Sequence, residues 1–122
     1  MSDTITIQGV YACASVADFE GALNWYSKFM GRGPDDRPMP VMAQWRNMGA
    51  AGLQLWHDPE HSAHSRMTIV VPTMADERER LRAVGIELGE EVAGNFGKVV
   101  QLVDPEGNRI TLTEPPKGFT AA

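Results

Sequence analysis

The order of elements repeats along this chain, and the repetition leaves few folds open. The first run, ITIQGVYACASV (5–16), is β-prone. DFEGALNWYSKFMG (18–31) follows, with Phe19, Ala22, Leu23, Tyr26 and Met30 at helical spacing. Asp18 stands where an N-cap belongs and Gly31 where a left-handed closing residue belongs. RGPDDRPMP (32–40) reads as a loop or poorly formed edge strand, because its prolines cannot donate to a ladder. VMAQWRN (41–47) and GLQLWHD (52–58) are two strands joined by MGAA. After PEHSAHS (59–65), which has linker composition, the order returns. RMTIVV (66–71) is a strand. TMADERERLRAVG (73–85) is a helix, with Thr73 as cap, Asp76 as its capping-box partner and Gly85 at its end. IELGEEV (86–92) is a short strand or loop, and KVVQLVD with NRITLTE forms a closing hairpin.

The two hairpins superpose at an offset of 57, which lays Trp45 on Leu102, Gln54 on Thr111 and Trp56 on Thr113. Two βαβββ copies imply two sheets, each with a helix on its outer face and an inner face that must meet something. The expected fold is therefore α+β: two βαβββ modules forming paired curved sheets around a cavity, helices outside. The modules are expected at about 5–58 and 66–114, with the linker at 59–65, inside one domain spanning 1–122. A chain of 122 residues is long enough for one core and too short for two independent ones. An ordinary α+β sandwich is the alternative.

The formal charge of −5 argues against a phosphate-backbone partner, so no nucleic acid is expected. Cys13 is the lone cysteine, which excludes an intrachain disulfide and a cysteine-based zinc motif. A buried, inert thiol is its default role. MSDTITIQG lacks a basic region followed by an apolar core, and no run approaches a membrane span. A cytoplasmic protein with no membrane partner is expected.

Three stretches carry a resemblance: VADFEGALNWYSKFMGRGP, ERLRAVGIEL and LVDPEGNRITLTEP. With the doubled order, they resemble the vicinal oxygen chelate superfamily, which includes glyoxalase I, extradiol dioxygenases, fosfomycin-resistance enzymes and bleomycin-resistance proteins. The resemblance implies the fold above, and a homodimer, because the family usually builds its clefts from paired modules across chains. Metal-dependent members hold a divalent ion with His and Glu at four inward strand positions. The resemblance puts these at Tyr11, Gln54, Arg66 and Thr111. None is a good ligand, and an arginine there would repel the ion. The resemblance therefore points to the metal-free, bleomycin-resistance-like branch, with no metal and no cofactor.

The candidate ligand-binding residues are Tyr11, Trp45, Gln54, Trp56, Arg66, Thr111 and Thr113. If Trp45 pairs opposite Gln54, then Trp45, Gln54 and Trp56 share the inward face while Leu53 and Leu55 pack on the helix. Two indoles and the Tyr11 ring would then sandwich a planar or cationic ligand. Arg66 would grip a carboxylate or phosphate. Thr111 and Thr113 alternate with Ile110 and Leu112 and offer a neutral polar lining, to which Gln101 adds if the hairpin register turns it inward. Trp25 and Tyr26 match the family's aromatic pair, and Tyr26 is core by spacing. His57, His61 and His64 would share a face if HDPEHSAH were helical, but Pro59 and the small polar residues favour an exposed linker. The expected function is metal-independent binding or sequestration of a small, partly aromatic or cationic molecule. The alternatives are a glyoxalase- or lyase-like enzyme using Tyr11 or Arg66, and a metal enzyme whose ligands lie elsewhere.

Overall fold

The computed structural model describes residue 5, residues 7–94 and residues 97–116. Thr6, inside the first expected strand, lies outside the described residues. The chain runs β1 (Val10–Val16), α1 (Phe19–Met30), β2 (Asp36–Met39), β3 (Met42–Met48) and β4 (Ala51–His57). A short 3₁₀ turn at Pro59–His61 leads to β5 (Arg66–Val70), α2 (Met74–Ala83), β6 (Val92–Gly94), β7 (Gly97–Val103) and β8 (Arg109–Glu114). Two four-stranded sheets result, ordered β1-β4-β3-β2 and β5-β8-β7-β6. Each repeats the other: the first strand lies parallel to the fourth, and the remaining pairs are antiparallel. The fold is α+β, a pair of βαβββ modules.

Local chemistry sets the helix ends. The Asp18 carboxylate accepts the Gly21 amide at 3.1 Å, and Gly31 closes α1 at φ 82°, a conformation that costs glycine little. The expected cap of α2 is different. Thr73 makes no side-chain capping bond; the Glu114 carboxylate, arriving from β8, accepts the Met74 amide at 2.6 Å instead. A negative charge there also suits the helix dipole.

Alternation along the strands divides each sheet into two faces. Ala14, Val16, Ala43, Leu53 and Leu55 in the first module, and Met67, Val100, Ile110 and Leu112 in the second, are buried. With Phe19, Ala22, Tyr26 and Phe29 of α1 and Met74 and Leu81 of α2 they form one continuous apolar cluster. The opposite, concave faces carry Tyr11, Cys13, Gln54 and Trp56, and Arg66, Thr68, Gln101, Thr111 and Thr113.

The modules are held together by the turn between β7 and β8. Asp104 Oδ1 accepts the amides of Glu106 and Asn108, which fixes the DPEGN turn. The turn then reaches across. Glu106 accepts the amides of Ala17 (2.6 Å) and Asp18 (2.7 Å), and Asn108 donates to the Ser15 carbonyl at 3.0 Å and accepts the Ser65 amide at 2.9 Å. Asp104 Oδ2 accepts the Tyr26 hydroxyl at 2.8 Å from α1. Burial first, and the Asp104 carboxylate second, push the Tyr26 phenol far above its ordinary value, so it remains a donor. Asp104 and Asn108 are almost wholly buried, and every one of these groups has a partner. Arg80 of α2 adds a bond to the Phe29 carbonyl at 2.6 Å.

Candidate functional site on the concave faces

On the first module, the side chain of Gln54 organises the surface. Its amide nitrogen donates to Gln44 Oε1 at 3.2 Å, and its oxygen accepts the Trp56 indole N–H at 3.1 Å. The Cys13 thiol lies 3.5 Å from the same oxygen. This places Gln44, Gln54 and Trp56 in one neutral network, with the half-buried Trp56 ring fixed at one end. Cys13 is exposed on this face, contrary to the buried thiol expected of it. The Tyr11 ring lies across Gly52, where any Cβ would collide with it. It borders a separate cavity of about 220 Å³ near the β3–β4 turn, with Arg46, Asn47 and Ala51.

On the second module, Arg66, Thr68, Gln101, Arg109 and Thr111 line a cavity of about 440 Å³. The pairings Arg66–Arg109, Thr68–Thr111 and Gln101–Thr111 bring these side chains to one face. Gln101 is therefore inward. Thr113 lies on the same face, two residues beyond Thr111 and outside the lining of that cavity.

Trp45 does not belong to either surface. It is fully buried on the helix side, 6.5 Å from the Tyr26 ring, and its indole N–H donates to the Arg32 carbonyl at 2.8 Å. The cause is a bulge. At the turn, Met48 pairs with Ala51, a register that would set Trp45 opposite Gln54. The strand then bulges at Arg46 and Asn47, with Asn47 at φ 57°, and beyond it Trp45 pairs with Leu53 and Gln44 with Gln54. One extra residue turns every later side chain to the other face. Gln44 thus takes the place expected for Trp45, while Trp56 keeps its own.

The four positions where the resemblance puts metal ligands do not form a donor set. Tyr11 and Arg66 stand two residues away from Cys13 and Thr68, the partners that pair across from Gln54 and Thr111. With either choice the set holds amide, hydroxyl, thiol or guanidinium, and neither imidazole nor carboxylate. Among the described residues, no three His, Cys, Asp or Glu side chains are grouped to hold an ion. The histidines diverge. His57 packs edge-on against Phe19 at 6.3 Å, His61 pairs with Asp58 at 2.9 Å, and His64 borders a small cavity with Arg66 and Arg109. The hydrogen bond to Asp58 raises the His61 pKa above its ordinary value.

Gln44, Thr68 and Arg109 were not singled out by the sequence. The offset of 57 carried the signal for one of them: it lays Gln44 on Gln101, and the structure pairs Gln44 with Gln54 as it pairs Gln101 with Thr111. Strand parity carried it for the other two, since Arg109 precedes Thr111 by two residues and Thr68 follows Arg66 by two.

No family model and no curated protein matches the sequence. Solved structures do match. A glyoxalase/bleomycin resistance protein from Catenulispora acidiphila DSM 44928 is 27% identical over 90% of this chain and all of its own, with a TM-score of 0.82. By fold, the chain belongs to the vicinal oxygen chelate superfamily. Two other members show how widely this fold is used. TnmS3, an antibiotic-binding protein from Streptomyces sp. CB03234, is 20% identical, with a TM-score of 0.75 over 94% of this chain and 99% of that one. A lactoylglutathione lyase from Agrobacterium tumefaciens is 17% identical, with a TM-score of 0.71 over 98% of this chain and all of its own. Among the described residues of this superfamily member, no helix is long and apolar enough to cross a membrane.

Proposed function

We propose that this chain binds and sequesters a small, partly aromatic molecule on its concave faces without a metal ion. The observation that carries the reading is the neutral network of Gln44, Gln54 and Trp56. It replaces the imidazole and carboxylate chemistry a divalent ion needs with amide and indole groups suited to an organic ligand. The Trp56 ring is pinned by its own N–H, so its π-face is offered at little further entropic cost. A structural likeness to an antibiotic-binding protein supports the same class of activity. A second copy of the chain is proposed to cover the faces. Val70 and Val103 lie on the open side of the second sheet, 47% and 57% exposed, where a partner would bury them.

The test is a thermal-shift screen of small aromatic compounds on protein stripped with a chelator, because a ligand bound only to the native state raises apparent stability. Hits that persist without metal support the reading. Hits that need added zinc or manganese, or turnover of a glutathione–aldehyde adduct, contradict it.

A further inference from the structure

The arginines of this chain divide into two groups. Six are engaged. Arg32, Arg37, Arg46, Arg80 and Arg82 pair with Asp35, Glu20, Asp36, Glu77 and Glu79, and Arg78 donates to the carbonyls of Leu88 and Gly89. Arg66 and Arg109 have neither a carboxylate nor a carbonyl partner among the described residues. Yet they are directly opposite each other on parallel strands, which lie about 4.8 Å apart. Like charges facing each other across strands destabilise a sheet unless something neutralises them.

Among the described residues, the surroundings supply no such charge. The described concave face of the second module holds Thr68, Gln101, Thr111 and Thr113 beside the arginines, and no acidic side chain. The chain as a whole carries −5, so this patch opposes the sign of the molecule that bears it. The two arginines line the 440 Å³ cavity and also a neighbouring one of about 200 Å³ with His64 and Ser65. Two guanidiniums beside hydroxyl and amide groups on one face supply the donors that suit an oxyanion, which accepts several charge-assisted hydrogen bonds at once. A cationic ligand would meet repulsion here.

We propose that Arg66 and Arg109 form an anion subsite that receives the carboxylate or phosphate group of the molecule bound on the concave face. The proposal rests on the binding function above and narrows its ligand to an aromatic or apolar organic anion. Both side chains are exposed, so their replacement leaves the core intact.

Isothermal titration of chelator-treated protein with phenyl phosphate, benzoate, benzyl alcohol and benzylamine tests it. At low salt, at least one of the two anions binds tenfold or more tighter than benzyl alcohol, and benzylamine binds weakest. R66Q and R109Q each weaken that anion by about tenfold, and leave benzyl alcohol unchanged. The stronger of the two anions identifies the headgroup as phosphate or carboxylate. Equal binding of benzyl alcohol and both anions, with both variants like the parent, overturns the subsite and leaves the binding function standing. Failure of all four probes to bind overturns both.

Discussion

Replacing Trp45 by Ala separates the core tryptophan from Trp56 on the opposite face of the sheet. Trp45 is wholly buried against α1, and its N–H bond to the Arg32 carbonyl holds the segment entering β2. Deleting a buried aromatic of this size costs about 3–5 kcal/mol, and the Arg32 carbonyl loses a hydrogen bond of about 1 kcal/mol. A domain of this length has a stability of roughly 6–18 kcal/mol, so Trp45→Ala removes a large share. With a urea slope of about 1–3 kcal/mol/M, the unfolding midpoint falls by at least about 1 M. Trp56→Ala removes a half-exposed ring whose indole N–H donates to Gln54, and costs about 1–2 kcal/mol. Urea denaturation followed by circular dichroism measures both. A Trp45→Ala protein within 1 kcal/mol of the parent, or a Trp56→Ala protein losing more than the Trp45 variant, would refute the assignment of the two faces.

Tyr26→Phe leaves Asp104 Oδ2 with Asn108 as its remaining side-chain donor in a buried site, and lowers stability by about 1–3 kcal/mol; denaturant titration checks this. Asn108→Ala cuts the bonds to Ser15 and Ser65 together. Amide exchange should rise at the seam between β1 and β5 before it rises elsewhere, and uniform exchange would argue against the clamp. Gly52→Ala sets a Cβ 2.7 Å from the Trp45 carbonyl and into the Tyr11 ring. It should cost about 1–3 kcal/mol by thermal unfolding. His61 has a raised pKa in the folded protein, so its contribution is complete below the ordinary histidine value and is lost as pH rises through the raised one. Because the pair is exposed, His61→Gln should flatten only a shallow slope in stability across that window.

The doubled order of elements was legible because helical spacing, caps and turn residues agree along the chain. Phe19, Ala22 and Tyr26 recur on one helix face, and Gly31 sits where the helix must close. Strand faces were legible wherever a strand stays regular: Ile110 and Leu112 went inward to the core and Thr111 and Thr113 to the concave side. Counting residues from the turn sets Trp45 on the wrong face, because a single bulge residue defeats the count. Asn47, a residue that tolerates the left-handed region, was the available sign. The arginine pair was half legible. The sequence points to Arg66 alone, because pairing between β5 and β8 joins residues 43 apart and depends on a register that spacing does not give. DPEGN lies between the two strands of the closing hairpin, and nothing local to it reveals that Glu106 and Asn108 hold the other module.

Chemical-shift mapping by nuclear magnetic resonance tests the central claim most directly. Chelator-treated protein is titrated with the small aromatic compounds that raise its melting temperature. Metal-independent binding on the concave face predicts shifts at the Trp56 indole N–H and at the Gln44 and Gln54 side-chain amides, while the Trp45 indole N–H holds still. Shifts that appear only after a divalent metal is added, or that centre on Trp45 and leave Gln54 and Trp56 unmoved, would contradict it.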